Sequence, residues 1–178
     1  DETRILSCAA ALADAAGLEL GRALSEAARA HSALPLTAHD LRVVDGGLTG
    51  HVGSSYMVLG TGALMVNMGV TIPAERDSQV AMYLLADNQL AGVITLRYLP
   101  TKNTYKAMRL MRRMHMNAVI AARDFNVSPA MVEEEFDLRR GFADQPDPAG
   151  VARLLDPRYA KGDAPAAVLT REGAGPFM

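Results

Sequence analysis

The sequence predicts a chain of mixed class, α+β followed by α/β: an antiparallel sheet with a helix pair, then a partial parallel sheet with interleaved helices. Three observations carry this. Residues 1–31 show helical periodicity; residues 41–96 show short β-branched runs punctuated by glycine; after Pro100 apolar helices and strands alternate. The texture changes between residues 90 and 100, which divides the chain into regions 1–92 and 93–178.

The first element is a helix over residues 2–16, with Ile5, Cys8, Ala9, Leu12 and Ala16 at helical spacing. Gly17 breaks it. A second helix runs from Glu19 to His31, with Leu20, Ala23, Leu24, Ala27 and Ala28 on one face. Its alanines suit close packing against a neighbour. Pro35 closes the helical region. "LRVVDGGLTGHVGSSYMVLG" reads as antiparallel strands with tight turns, and "GTGALMVNMGV" as a short helix ended by Gly69. In "VAMYLLADNQLAGVITL" two apolar strands flank Asp87-Asn88-Gln89, the signature of a β-hairpin.

A helix from Lys102 to His115 places Tyr105, Met108, Met111 and Met114 on one stripe. A strand over 118–122 follows, then a helix starting near Ser128 with Pro129 at its first position. "FADQPDPAG" reads as a loop, 151–155 as a short helix and "AAVLT" as a last strand. Alternating strands and helices imply a parallel sheet.

Composition narrows the function. Of the 178 residues, 49% are hydrophobic and 21% charged, as in a packed globular protein. A net charge of −2 and a pI of 6.1 argue against a nucleic-acid surface, which needs a basic excess to neutralise phosphates. A single cysteine, Cys8, excludes an internal disulfide framework. No apolar stretch is long enough to span a bilayer. The four histidines, His31, His39, His51 and His115, show no metal-ligand spacing among themselves or with Cys8, so no metal site is expected. The chain opens on Asp-Glu-Thr-Arg without a methionine, which suggests a piece of a longer protein.

Each candidate for chemistry has a plainer reading beside it. "DGGLTGHVG" could cradle a phosphate, but a phosphate loop runs from a strand into a helix. These glycines lie between strands and read as turn residues. The basic stretch "KAMRLMRRM" could hold an anion; it also reads as a solvated helix face with methionines filling a core. Asp124 follows a strand's C-terminal end, where a carboxylate could be a nucleophile or a Mg²⁺ ligand. Asp137 and Asp144 are the nearby acidic partners, and without one Asp124 is a cap or loop residue. Cys8 sits in an alanine-rich helix face and reads as buried.

Three stretches together carry a resemblance. They are "ILSCAAALADAAGLELGRALSEAARAH", "VVDGGLTGHVGSSYMVLGTGALM" and "VAMYLLADNQLAGVITLRYLPTKNTYKAMRLMRRMHMNAVIAARD". In order and spacing they resemble the cytoplasmic part of P-type cation-transporting ATPases, in particular the heavy-metal-transporting group. The first is similar to the opening helix pair of the nucleotide-binding domain, the second to its Gly-x-Gly-Val-x-Gly segment. The third is similar to the hairpin and βαβ run entering the Thr-Gly-Asp motif of the haloacid dehalogenase-like phosphorylation domain.

The resemblance implies ATP and Mg²⁺ as cofactors and the transmembrane and actuator regions of the same full-length protein as partners. It also implies a position on the cytoplasmic face of a membrane. Of the family's site residues it leaves Gly47, Gly50 and Gly60 toward a nucleotide and Asp124 as the surviving catalytic-position carboxylate. The motifs themselves are altered. Glu-His-Pro is replaced by Gly17-Leu18-Glu19, the first glycine of Gly-x-Gly by Asp45, and Thr-Gly-Asp by Ala122-Arg123-Asp124. The aspartate after the hairpin is Tyr98, the lysine position falls near Ala149, and Gly-Asp-Gly is replaced by Thr170-Arg171-Glu172. Phosphoryl transfer depends on positioned charge, and several of its groups are changed at once. The expectation is therefore an ATPase region with ATP binding and phosphoryl transfer weakened or lost, a pseudoenzyme.

Two other readings stand beside it. One is a regulatory or protein-interaction module on the same fold, with Glu133-Glu134-Glu135 and the methionine-rich helix as surfaces. The other is a soluble haloacid dehalogenase-like phosphatase, which requires an Asp-x-Asp pair at a strand end that the chain does not offer.

Overall fold

Helix α1 (Glu2–Ala15) starts on Asp1, whose carboxylate accepts from the Thr3 amide. Ser7 to Ala13 are buried without a break, because α2 (Glu19–Ala30) covers one side and strands the other. Gly17 takes the left-handed turn between the two helices at φ 67°. The helices cross at Gly21, where a Cβ atom would stand 2.6 Å from the backbone nitrogen of Asp14. Ser25 Oγ donates to Asp14 Oδ2 at 2.6 Å and fixes that crossing.

The computed structural model describes residues 1–72 and 80–156. Five strands form one antiparallel sheet in chain order: β1 (Ala38–Val44), β2 (Gly47–Val52), β3 (Ser55–Gly60), β4 (Val80–Ala86) and β5 (Gln89–Leu96). A short helix α3 (Gly62–Asn67) leaves β3, capped by Thr61 and closed by Gly69 at φ 75°. Strand alternation sorts the core. Val52, Met57, Leu59, Met82, Leu84 and Ile94 meet α1 and α2. Val58, Tyr83 and Leu85 face the other way and pack with Met65 of α3. The middle strands are covered on both faces, so they read as unbroken apolar runs rather than alternating ones.

The hairpin β4–β5 turns on Asp87 and Asn88, at φ 49° and 66°. Both residue types tolerate that left-handed geometry. Asp87 also ties the turn sideways to β3: Tyr56 N donates to its Oδ1 at 2.9 Å, and its own amide donates to Tyr56 O at 2.8 Å.

The remaining elements are α4 (Lys102–Arg113), β6 (Ala118–Val119), α5 (Pro129–Glu135), β7 (Ala143–Asp144) and α6 (Pro148–Leu154). Strands β6 and β7 pair in parallel. Ser128 caps α5 through its hydroxyl, with Pro129 in the first turn. Met108, Met111, Ala118 and Phe142 form a small core with Val132, Phe136 and Leu138 at its edge.

The chain divides into two compact units. Among the described residues, one is Asp1–Tyr98 together with Asp124–Asn126; the other is Leu99–Arg123 and the stretch from Val127 to Asp156. The sequence division after residue 92 falls within β5, whose ladder with β4 continues to Leu96.

Several expectations need correction. The strand expected over 118–122 is two residues long, extended only by the Ile120 amide donating to Asp144 O at 2.8 Å. Its partner comes from the expected loop "FADQPDPAG", where Ala143 and Asp144 supply β7. Pairing, not apolar content, sets strand length here. Helix α4 stops at Arg113, and Met114, expected on its buried stripe, is exposed because the chain reverses at His115 with φ 55°. The strand expected at 166–170 and the Thr170-Arg171-Glu172 position lie outside the described residues.

Candidate functional site

The glycine segment is the first place to look for a ligand. Strand β1 hands over to β2 through Asp45 and Gly46, the latter at φ 77°. Gly47 and Gly60 then sit directly opposite each other across β2 and β3. A Cβ on Gly47 would lie 2.4 Å from Leu59 O and 2.7 Å from Leu64 Cδ2. One on Gly60 would lie 2.6 Å from Gly46 O and 2.6 Å from the same leucine methyl. The space freed by these two glycines is thus occupied by the chain's own Leu64, from α3. Gly50 has Leu12 Cδ2, His39 O and Leu41 Cδ2 between 3.1 and 3.2 Å of its Cβ position. All three glycines stand where close backbone approach requires them.

The helix-pair face is similarly filled. Leu18 is the N-cap residue of α2 and makes no side-chain capping hydrogen bond. Its side chain packs instead onto the main core. A shallow pocket of about 110 Å³ opens between the helices, lined by Ser7, Asp14, Ser25 and Arg29 among others. A second, of about 130 Å³, is lined by Pro146, Gly150, Arg153 and Leu154. Ligand sites for molecules of nucleotide size commonly enclose about 300–1,000 Å³.

Asp124 has a defined role in the chain's architecture. Its Oδ2 accepts from the Tyr98 hydroxyl at 2.5 Å. Its Oδ1 accepts from the Asn126 amide at 2.9 Å and from Asn126 Nδ2 at 3.3 Å. Asn126 is buried, and its Nδ2 also reaches Met82 Sδ at 3.8 Å, while Phe125 packs on the main core. Three residues of a distant segment are therefore clasped onto the first unit. Tyr98 and Asp124 are the two positions that the resemblance assigns to motif aspartates, and the fold brings them into contact. Asp144 Oδ1 accepts from the Gln145 amide; the Asp137 carbonyl accepts from Arg112, and its amide donates to Glu134 O.

Elsewhere, burial pushes the Cys8 thiol above its ordinary pKa, against a smaller opposing effect of Arg4. In the second unit the Tyr105 hydroxyl donates to Glu135 Oε1 at 2.8 Å, which raises its pKa. Glu133 is recruited structurally, its Oε1 accepting from the Ala143 amide at 3.0 Å.

One group escaped the sequence reading. His39 and His51 are cross-strand partners on β1 and β2, with ring centroids 5.6 Å apart, and the Asp40 carboxylate lies 3.8 Å from a nitrogen of each. Spacing along the chain gives no hint of it, because a register shift in β1 creates it.

The described residues thus combine an antiparallel sheet backed by a helix pair with a small parallel pair. Solved structures to which the chain is similar include parts of heavy-metal P-type ATPases. One is the N-domain of a copper-transporting P-type ATPase, at 26% identity over 52% of this chain and 83% of that one, with a TM-score of 0.41. Another is a zinc-transporting PIB-type ATPase, at 17% identity over 82% of this chain and 24% of that one, TM-score 0.46. A third is the catalytic domain of the CPx-ATPase CopB-B, at 9% identity over 80% and 51% of the two chains, TM-score 0.47. The chain thus spans about a quarter of the zinc pump and half of that catalytic domain. No family model and no curated relative matches it. Among the described residues no helix is long and apolar enough to cross a membrane.

Proposed function

We propose that the chain is the nucleotide-binding and partial phosphorylation region of a P-type cation-transporting ATPase-like membrane protein in which ATP binding and phosphoryl transfer are weakened or lost. The observation that carries the loss is the packing of Leu64 against Gly47 and Gly60. The glycines a nucleotide would need are committed to the fold's own interior. Leu18, at the position the resemblance assigns to an adenine-contacting histidine, offers no polar group and is turned into the core. Asp45 adds negative charge where phosphates would approach, which costs rather than stabilises.

Asp124 supports the same reading. Both of its oxygens already accept hydrogen bonds from Tyr98 and Asn126, so the carboxylate is engaged within the chain's own architecture. Asp124 acts here as a positioning residue that fastens Tyr98 to residues 124–126. The partners remain the transmembrane and actuator regions of the same protein.

Isothermal titration of the chain with ATP, with and without Mg²⁺, tests this. The expected result is no saturable binding in the micromolar range. Micromolar affinity, with amide shifts at Gly47, Gly50 and Gly60, would overturn the loss of nucleotide binding.

A further inference from the structure

We propose that His39, Asp40 and His51 form a binding site for a divalent transition-metal ion of the zinc type. The site goes beyond the ATPase-like reading and does not rest on it. It begins with a bulge. The two-residue turn at Asp45-Gly46 pairs Val44 with Gly47, and Arg42 still faces Thr49. Continued without interruption, that register would set Asp40 opposite His51. The register instead shifts between His39 and Arg42, so His39 pairs with His51 and β1 carries an extra residue.

The shift changes where side chains point. Directly paired residues on antiparallel strands share a face, so the two imidazoles stack, 21° from parallel. Asp40 is next to His39 and in a regular strand would point to the opposite face. Its φ of 52° breaks the alternation. The carboxylate turns toward the two rings, with Oδ2 at 3.8 Å from His39 Nε2 and 3.8 Å from His51 Nδ1. All three donor atoms lie within 4.8 Å of one another.

His51 Nδ1 provides the second observation. The atom itself is shielded, on a side chain that is 38% exposed, and has no hydrogen-bond partner among the described residues; the Asp40 oxygen at 3.8 Å is beyond hydrogen-bond reach. A buried polar atom left unpaired costs free energy, and such atoms call for an explanation. A cation between the nitrogen and the carboxylate supplies one. Tyr56, paired with His51 from β3, sets the edge of its ring against the imidazole at 5.4 Å and limits its rotation.

The donor set selects the ion. Two imidazole nitrogens and one carboxylate oxygen suit Zn²⁺, Cu²⁺, Ni²⁺ or Co²⁺, whereas Mg²⁺ and Ca²⁺ prefer oxygen throughout. With metal–ligand lengths of about 2.1 Å, donors around tetrahedral zinc stand about 3.4 Å apart. Closing from the present spacing takes small rotations of His39 and Asp40, whose side chains are 58% and 75% exposed. Three protein ligands leave the fourth position to water, an open site.

The chain has four histidines, so two double variants partition every imidazole. Zinc sulfate is titrated into the intact chain by calorimetry, with histidine ¹⁵N shifts recorded in parallel. The expected result is one zinc per chain at micromolar affinity, with shifts at His39 Nε2 and His51 Nδ1. H39Q/H51Q should weaken binding at least about a hundredfold, more than the loss of an outer-shell partner. H31Q/H115Q should leave it unchanged. Asp40→Asn keeps a residue type that tolerates positive φ and removes the charge, so it should fold and bind more weakly. Melting curves without metal establish that each variant is folded. Absence of zinc binding below millimolar concentration would overturn the site, as would binding that survives H39Q/H51Q or is lost in H31Q/H115Q.

Discussion

The two compact units solve the same packing problem with unequal means. The first sandwiches a five-stranded sheet between a helix pair and α3, with residues such as Leu59, Leu84 and Met65 at or near zero exposure. The second has strands of two residues and a core built around Met108, Met111, Ala118 and Phe142. The difference shows where this fold keeps its precision. Chemistry at the ends of parallel strands needs a sheet long enough to hold those ends still. Here the carboxylate expected at such an end, Asp124, belongs instead with the antiparallel unit.

Core truncation offers the sharpest way to break that contrast. Leu84→Ala removes a side chain that is 1% exposed between rigid neighbours and should cost about 4 kcal/mol. Met111→Ala, 7% exposed among adaptable methionines, should cost about 2 kcal/mol. Urea unfolding followed by circular dichroism gives both; equal losses would mean that the second core is packed as tightly as the first.

A smaller effect is expected at the clasp. Tyr98→Phe and Asp124→Asn should each cost about 1.5–2 kcal/mol, the lower end for hydrogen bonds to a charged group because the site is only part-buried. The double variant should lose less than the sum, because the two share one bond. Strict additivity would show that Asp124 is not held by Tyr98, and the case for a fastening role would go with it.

The smallest effect is a titration in the second unit. Glu135 accepts from the Tyr105 hydroxyl and holds its pKa above the usual tyrosine range. The bond stabilises the fold below about pH 10 and is lost as pH rises through the shifted value. Spectrophotometric titration should show a late-ionising tyrosine component that shifts to lower pH in Glu135→Gln. No change in that variant would remove the contact as a feature of the unit in solution.

Much of the first unit was legible because its signals are local. Gly17 between two periodic stretches marks the helix pair and Asp87-Asn88 marks the hairpin; in the second unit Ser128-Pro129 likewise marks the start of α5. What stayed hidden depends on partners far along the chain. Ala143 and Asp144 are a strand only because Ala118 and Val119 lie beside them. The contact of Tyr98 with Asp124 spans 26 residues and leaves no periodic trace. The histidine pair needs a bulge that shifts register by one, and nothing in "AHDLRVV" announces which residue will be extra. The glycines of "DGGLTGHVG" read as turn residues; Gly46 and Gly53 are, whereas Gly47 and Gly50 lie within β2, where Leu64 and Leu12 approach them from elsewhere in the chain.

Gly21 sets a limit on how the helix pair can move. A lone hydrogen separates its α-carbon from the backbone of Asp14. Sliding α2 by one position would drive Leu20 or Arg22 into that gap, which admits neither. The register of the helix pair is thus held by one missing side chain.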